Sequence, residues 1–354
     1  MSKLTKEYAL IFSIIILIVI SIFEHTLAES ATGNLIGLII LFSIIIYASM
    51  SVAHHAEALA EKFGEPYGTL ILTISAVIVE IIIIAIMMTH AHNPNLARDT
   101  IYSAVMLDIN GLLGLSAIIG GIKYGEQPYN IDSTNSYLTM IIVAIGISMI
   151  VPEFIPLSHE SAYMTLLVVI FILLYFVFSR VQLKRHKYFF EYKPKKEKGH
   201  EITRKINGLY HTIILATLII LIGLLSEVLS VFMNNTLATY NLPLALGAVA
   251  VAVISASPEL ITAIRASLDN RMQTVINIAF GASLATVLLT IPSVIVVMGL
   301  MGMKIHLALT PIQSTMLGIT FFAGVISFND GETNVLEGFI HVAIFIVFCY
   351  LLFI

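Results

Sequence analysis

Two glutamates occupy stretches that otherwise read as hydrocarbon-facing helix. Glu80 lies in "YGTLILTISAVIVEIIIIAI" (residues 67 to 86) and Glu259 in "LGAVAVAVISASPELITAI" (residues 246 to 264). A carboxylate at the centre of a bilayer costs about 2.5–3.5 kcal/mol on insertion scales, so such residues face a protein interior or a water-filled path and mark ion or proton routes. Pro258, next to Glu259, adds a second penalty by removing a backbone donor. Thr73 and Ser75 precede the first glutamate and Ser255 and Ser257 the second. In both stretches a glycine, Gly68 or Gly247, stands twelve positions before the glutamate, so the two segments are copies of one motif.

The chemistry open to such a pair is cation binding in exchange for protons. The Ser-Ala-Ser-Pro run predicts an interrupted helix whose freed carbonyls and hydroxyls join the carboxylates, with a weaker break expected in the first copy, which has no proline. Hard oxygen atoms at that density suit Ca²⁺. Without a cation, two nearby carboxylates repel and lose hydration, which favours taking up protons; a divalent ion reverses that balance.

The surrounding elements follow from composition. Hydrophobic residues make up 58% of the 354-residue chain and charged residues 11%, and segments of about 20 apolar residues recur throughout. The chain reads as an all-α polytopic membrane protein with eleven transmembrane helices, over residues 8–28, 35–55, 67–89, 99–122, 135–155, 161–181, 208–232, 242–264, 273–299, 308–328 and 334–353. The first apolar run is longer than the core of a signal sequence and is expected to be retained. Placing the amino terminus in the cytoplasm puts 16 of the 18 Lys and Arg residues inside and leaves Arg98 and Lys304 outside, with the carboxyl terminus outside. The organisation expected is an extra amino-terminal helix (1–30), a five-helix repeat (31–182), a basic cytoplasmic linker (183–206) and a second five-helix repeat (207–354). The linker reads as a solvated connection, with binding to anionic headgroups as the sharper alternative.

Removing the first span leaves five plus five, and the second span enters from outside whereas its counterpart, the seventh, enters from inside. The halves are therefore inverted copies, the organisation of secondary transporters that reach outward-open and inward-open states of similar energy. Cys349 is the sole cysteine, so no disulfide forms within the chain.

These paired segments resemble known ones. "EALAEKFGEPYGTLILTISAVIVEIIIIAIMM" (residues 57 to 88) and "SASPELITAIRASLDNRMQTVINIAFGASLATVLLTIPSV" (residues 255 to 294) are similar to the two α-repeats of the calcium/proton exchangers in the Ca²⁺/cation antiporter superfamily, above all its bacterial ChaA-type sodium/calcium–proton branch. The resemblance covers nearly the whole chain. It implies eleven spans around an inverted five-plus-five core, location in a prokaryotic cell membrane, and export of Ca²⁺ driven by inward proton flow. It also implies that Glu80 and Glu259 are the exchange glutamates, and that Gly281, Ala282 and Ser283 occupy a Gly-Ser-Ser-like turn. Departures stand beside it: the Gly-Asn-Ala-x-Glu pattern of fungal and plant members reads Ala76 to Glu80 and Ser255 to Glu259 here, and Ala285 stands where a glutamine is common. Fewer amide ligands leave Na⁺ or K⁺ exchange open.

Further polar residues carry two readings each. Asp108 and Asn110, inside the fourth span, are ligands or interhelical hydrogen-bond partners. Asn277, Ser283 and Thr286 line the pocket or pack the ninth span. His54, His55 and Glu57 read as interfacial polar residues, against a metal cluster or pH sensor. Asp330 and Glu332 read as a plain Asp-Gly turn. An intramembrane metalloprotease would need His-Glu-x-x-His, which is absent, and no acidic diphosphate motif or phosphate loop occurs. A cation channel would use acidic residues but gains nothing from inverted topology. No resident cofactor, nucleic acid or obligate protein partner is expected; the partners are the bilayer, the cation and protons.

Overall fold

The computed structural model describes residues 7–64, 67–91, 93–182 and 206–353. Lys3, Lys6, His92 and nearly all of the basic linker lie outside them. The helices are α1 (Tyr8–Ala28), α2 (Ala31–Phe63), α3 (Tyr67–Ala91), α4 (Leu96–Met106), α5 (Leu113–Tyr124), α6 (Ile131–Ile145), α7 (Glu160–Arg180), α8 (Gly208–Thr239), α9 (Ala245–Leu268), α10 (Met272–Ala285), α11 (Ile291–Leu300), α12 (Pro311–Ser327) and α13 (Val335–Leu351). A π-helical segment, Leu107–Leu112, joins α4 to α5, and another, Thr286–Thr290, joins α10 to α11. Each pair thus makes one rod. Among the described residues nine segments are long and apolar enough to cross a membrane, and α12 and α13 are apolar helices of 17 residues.

Polar residues set the helix ends. Ser30, Asn130 and Asn207 accept a hydrogen bond from a backbone amide three residues on, at 3.0, 3.2 and 3.3 Å. Thr310 and Gln313 form a capping box at α12, with Pro311 in the first turn. Gly64, at φ +65°, ends α2. The 33 residues of α2 and 32 of α8 span about 50 Å at 1.5 Å per residue, so they tilt within a hydrocarbon layer of about 30 Å or project beyond it.

α2 lies along α8, α4 packs on α9, α5 on α13, and α1 on α2 and α8. The α5–α13 approach depends on glycine: a Cβ on Gly338 would stand 2.7 Å from the carbonyl oxygen of Gly114 and 2.7 Å from the amide nitrogen of Ile118. Small residues that let backbones touch are how helices associate where lipid removes the hydrophobic drive. α1 buries Ala9, Leu10, Ser13 and Ile20, and leaves Ile18, Ile22 and Phe23 exposed, as a helix outside the main bundle would. Side chains such as Phe322, Phe339 and Ile346 are exposed on α12 and α13, surface that lipid covers.

Basic residues mark the two faces of the bundle. The Nζ of Lys62 lies against Gly208 at the start of α8, and Lys123 donates to the carbonyl of Leu268 at the end of α9, at 2.7 Å. A short turn joins α8 to α9, so these ends share one face. At the opposite face Arg98 donates to the carbonyl of Ala308 at 3.2 Å, and the amide of His306 to that of Pro94 at 3.0 Å.

One expectation is corrected. α9 runs unbroken from Ala245 to Leu268 with Pro258 inside it, and α3 is continuous through Glu80. Proline deletes a single amide, and the turn is held by side chains that bond backward: Ser257 Oγ donates to the carbonyl of Val253 at 2.5 Å and Thr262 Oγ1 to that of Pro258 at 2.9 Å. The interruptions sit in the following rods. Both of the π segments that join rods start twenty-seven residues after a motif glutamate, at Leu107 and at Thr286.

Candidate functional site

α3 and α9 present their glutamates to one cavity of about 500 Å³ in the interior of the bundle. Asp108, in the first π segment, lines it as well. Its position follows from the extra residue of the π turn, which shifts the helical phase in the middle of the rod. Glu80 and Asp108 are each 2% exposed, while Glu259 is half-buried. The three carboxyl groups act electrostatically on one another: Glu80 on Glu259, and both on Asp108.

Donors from the second half of the chain hold carboxylates of the first. Thr290 donates to Oε2 of Glu80 at 2.6 Å, and Thr286 reaches the same oxygen at 3.1 Å and Oε1 at 3.4 Å. Ser283 donates to Oδ2 of Asp108 at 3.0 Å. The remaining oxygens differ. Oδ1 of Asp108 and Oε2 of Glu259 are buried without a hydrogen-bond partner. A buried polar atom left without a partner costs about 1–3 kcal/mol, more when charged, and a proton or a cation removes that cost.

The cavity wall shows which way it opens. Its residues furthest from the carboxylates are Glu57, Leu72, Gln182, Thr262 and Thr274, and all lie toward the face that carries Lys62 and Lys123. Gln182 donates to the phenol of Tyr137 at 3.0 Å near the start of α6, and Tyr175 faces Thr73. At the other face Asp99 accepts from Arg98 at 2.8 Å and from Gln313 at 2.9 Å, which ties α4 to the start of α12.

Thr73, Ser75, Ser255 and Asn277 line the cavity together with the carboxylates. Ser75 donates its hydroxyl to the carbonyl of Ile71 at 2.7 Å and offers the cavity only lone pairs. Asn277 accepts from Gln273 at 3.0 Å. Ser283 reaches the site through Asp108. Ser257 is not on the wall, its hydroxyl being turned back on its own helix. Asn110 also points elsewhere: its amide donates to Thr320 at 2.9 Å and its carbonyl meets Nδ1 of His341 at 2.9 Å, between α12 and α13. Two positions after Asp108, it sits on the opposite side of the rod. Thr290 makes the shortest bond to Glu80 and was not anticipated; the four-residue spacing of Thr286 and Thr290 in an apolar run was its only trace.

Among the described residues no three His, Cys, Asp or Glu side chains converge on one point as a metal cage. A cation such as Ca²⁺, which takes six to eight oxygens, would complete its shell here from hydroxyls, carbonyls and water. Asp330 accepts from the amide of Glu332 at 3.2 Å around Gly331, at φ +86°, which is the expected Asp-Gly turn.

The family described as sodium/calcium exchanger protein matches residues 33–184 and 210–354. The chain is 33% identical over 357 residues to the sodium-potassium/proton antiporter ChaA of Escherichia coli, covering 98% of this chain and 96% of that protein. It is 25% identical over 240 residues to the Ca²⁺/H⁺ antiporter ChaA of Bacillus subtilis, covering 66% and 68%. Among solved structures, that of native YfkE superposes with a TM-score of 0.73 over 94% of this chain and 99% of that one, at 20% identity, which shows a shared fold.

Proposed function

Because this chain belongs to the sodium/calcium exchanger protein family, we propose that it is a secondary active antiporter that exports Ca²⁺ across a prokaryotic cell membrane in exchange for protons, with Glu80, Glu259 and Asp108 taking turns with the two substrates. The observation that carries the reading is the presence of three carboxyl groups on the wall of one cavity, two of them with an oxygen that nothing in the protein satisfies. A divalent ion entering between them displaces protons; when it leaves, protons return, and the neutral or cation-loaded site crosses the bilayer more cheaply than the empty charged one.

The inverted five-plus-five plan supports alternating access. α2 and α8 are long helices of nearly equal length that open the two halves, α3 and α9 carry the glutamates, and the rods that follow each contain a π segment in the same register. On this plan all eleven apolar segments span the membrane, with the amino terminus inside and the carboxyl terminus outside. The Lys62 and Lys123 face is then cytoplasmic, and the cavity is open inward and sealed outward at Arg98, Asp99 and Gln313. Thr73, Ser75, Ser255 and Asn277 supply neutral oxygens along the path; Ser283, Thr286 and Thr290 hold the carboxylates.

A second reading exchanges Na⁺ or K⁺ on the same scaffold. It is favoured by the name of the 33% identical relative and by the absence of a three-ligand cage among the described residues. Reconstitution into liposomes under an imposed pH gradient separates the two. Uphill Ca²⁺ flux in the native chain, lost in Glu80→Gln and Glu259→Gln with membrane insertion intact, is the expected result. Proton-coupled flux that persists in both variants would overturn the shared-site mechanism.

A further inference from the structure

Four side chains from three elements meet on the Lys62 face, apart from the exchange cavity. His55, near the end of α2, is 1% exposed. Its Nδ1 lies 2.9 Å from Nδ1 of His211 in the first turn of α8, and its Nε2 lies 3.1 Å from Oε2 of Glu7, the residue that leads into α1. Tyr210 donates its hydroxyl to the other oxygen of that carboxylate. The imidazoles of His55 and His211 are tilted against each other at 5.0 Å between centroids, with the rings of His54 and Tyr210 edge-on to His55. The burial of His55 overturns its reading as an interfacial residue.

Geometry fixes how many protons the cluster holds. A carboxylate that meets a phenol on one oxygen and an imidazole nitrogen on the other is satisfied as the anion. His55 then carries its proton on Nε2, leaving Nδ1 as the acceptor for an N–H on Nδ1 of His211, and both rings are neutral. Two charged imidazoles do not fit. They would place N–H groups on two facing nitrogens 2.9 Å apart with no acceptor between them.

We infer that the His55–His211 pair is a proton-binding latch, separate from the exchange site, which is closed while at least one imidazole is neutral and splits when both are charged. Among the described residues the groups that face it include Glu7, His54 and Tyr210, with Lys62 at the adjoining start of α8 and Glu61 beside Lys62 in the last turn of α2. Of the other acidic and histidine residues of the packed helices, Glu24, His25, Glu29, His90 and Glu227 lie toward the other face and Glu57, Glu80 and Glu259 on the cavity. The latch has a mechanical lever. Val52, Ala53 and Ala56, from the same turns of α2 as His55, form cavity wall, so the bridge pins that wall to α8 and to the entry of α1. Splitting it releases the wall, and acid on the Lys62 face slows transport.

The consequence for transport rests on the exchange reading; the proton count of the pair does not. Two measurements on the full chain in liposomes test them separately. ¹⁵N-histidine NMR of the native protein should show a proton shared between two Nδ1 atoms at neutral pH and lose it in acid; no bridged signal at any pH overturns the proposal, and this readout does not depend on a variant folding. For transport, the native rate should fall as the Lys62 face is acidified, whereas His55→Gln and His211→Gln should keep the alkaline rate and lose the acid fall. Superimposable profiles for native and variant chains would overturn the lever. A bridged signal in a chain that exchanges no cation would leave the proton site standing and remove the antiport reading instead.

Discussion

Thr290 donates its hydroxyl to Glu80 at 2.6 Å across 210 positions of sequence, so a carboxylate of the first half of the chain is held by a helix of the second. Hydrogen bonds to charged groups contribute about 1.5–3 kcal/mol. Thr290→Val keeps the shape and removes the donor. The Ca²⁺ concentration for half-maximal flux should rise on the order of tenfold or more, with Thr290→Ser restoring it and Thr286→Val, whose bonds are longer, changing it less. Equal cation dependence in Thr290→Val and the native chain would show that the threonine does not shape the site.

Asp108 adds a third carboxyl group, and its contribution is readable as charge. Asp108→Asn preserves an acceptor for Ser283 while removing the option of a negative charge. A divalent ion gains twice as much from each carboxylate as a monovalent one, so the variant should lose Ca²⁺ flux on the order of tenfold relative to Na⁺ or K⁺ flux. If the ratio of the two fluxes is unchanged, Asp108 is carried through the cycle as a neutral acid.

Much of this was legible without coordinates because a bilayer imposes two simple demands. Apolar runs of fixed length gave the helices, and a carboxylate in such a run at Glu80 and Glu259 gave the cavity. What stayed hidden depends on phase and distance. A π turn has no signature in residue types, so Asp108 and Asn110, two apart, could not be told to face opposite ways. Pro258 predicted a break because the rule for isolated helices was applied where Ser257 and Thr262 hold the turn together. His55 looked interfacial because its partners, Glu7 and His211, are far away in sequence.

The α5–α13 contact offers a test of packing independent of ions. Alanine at Gly338 meets backbone atoms of Gly114 and Ile118 at 2.7 Å, and backbone cannot rotate aside as a side chain can. Overpacking of this kind costs about 1–3 kcal/mol. Gly338→Ala should lower the thermal unfolding midpoint in detergent, whereas Gly318→Ala, whose Cβ meets nothing within 4 Å, should leave it unchanged. Equal midpoints for the two variants would contradict the close approach.

Asn110 separates support from binding. Its amide and carbonyl join Thr320 on α12 to His341 on α13, and His341 is fully buried with its other nitrogen unpartnered. Removing the amide leaves further buried polar atoms without partners, at about 1–3 kcal/mol. Asn110→Ala should therefore unfold at lower temperature. Because Asp108 is held from the other side by Ser283, the variant that reaches the membrane should bind Ca²⁺ within about threefold of the native affinity, the range of substitutions that leave the site's own contacts intact. A large loss of Ca²⁺ affinity at unchanged thermal stability would return Asn110 to the cavity and place the π turn in a different phase during transport.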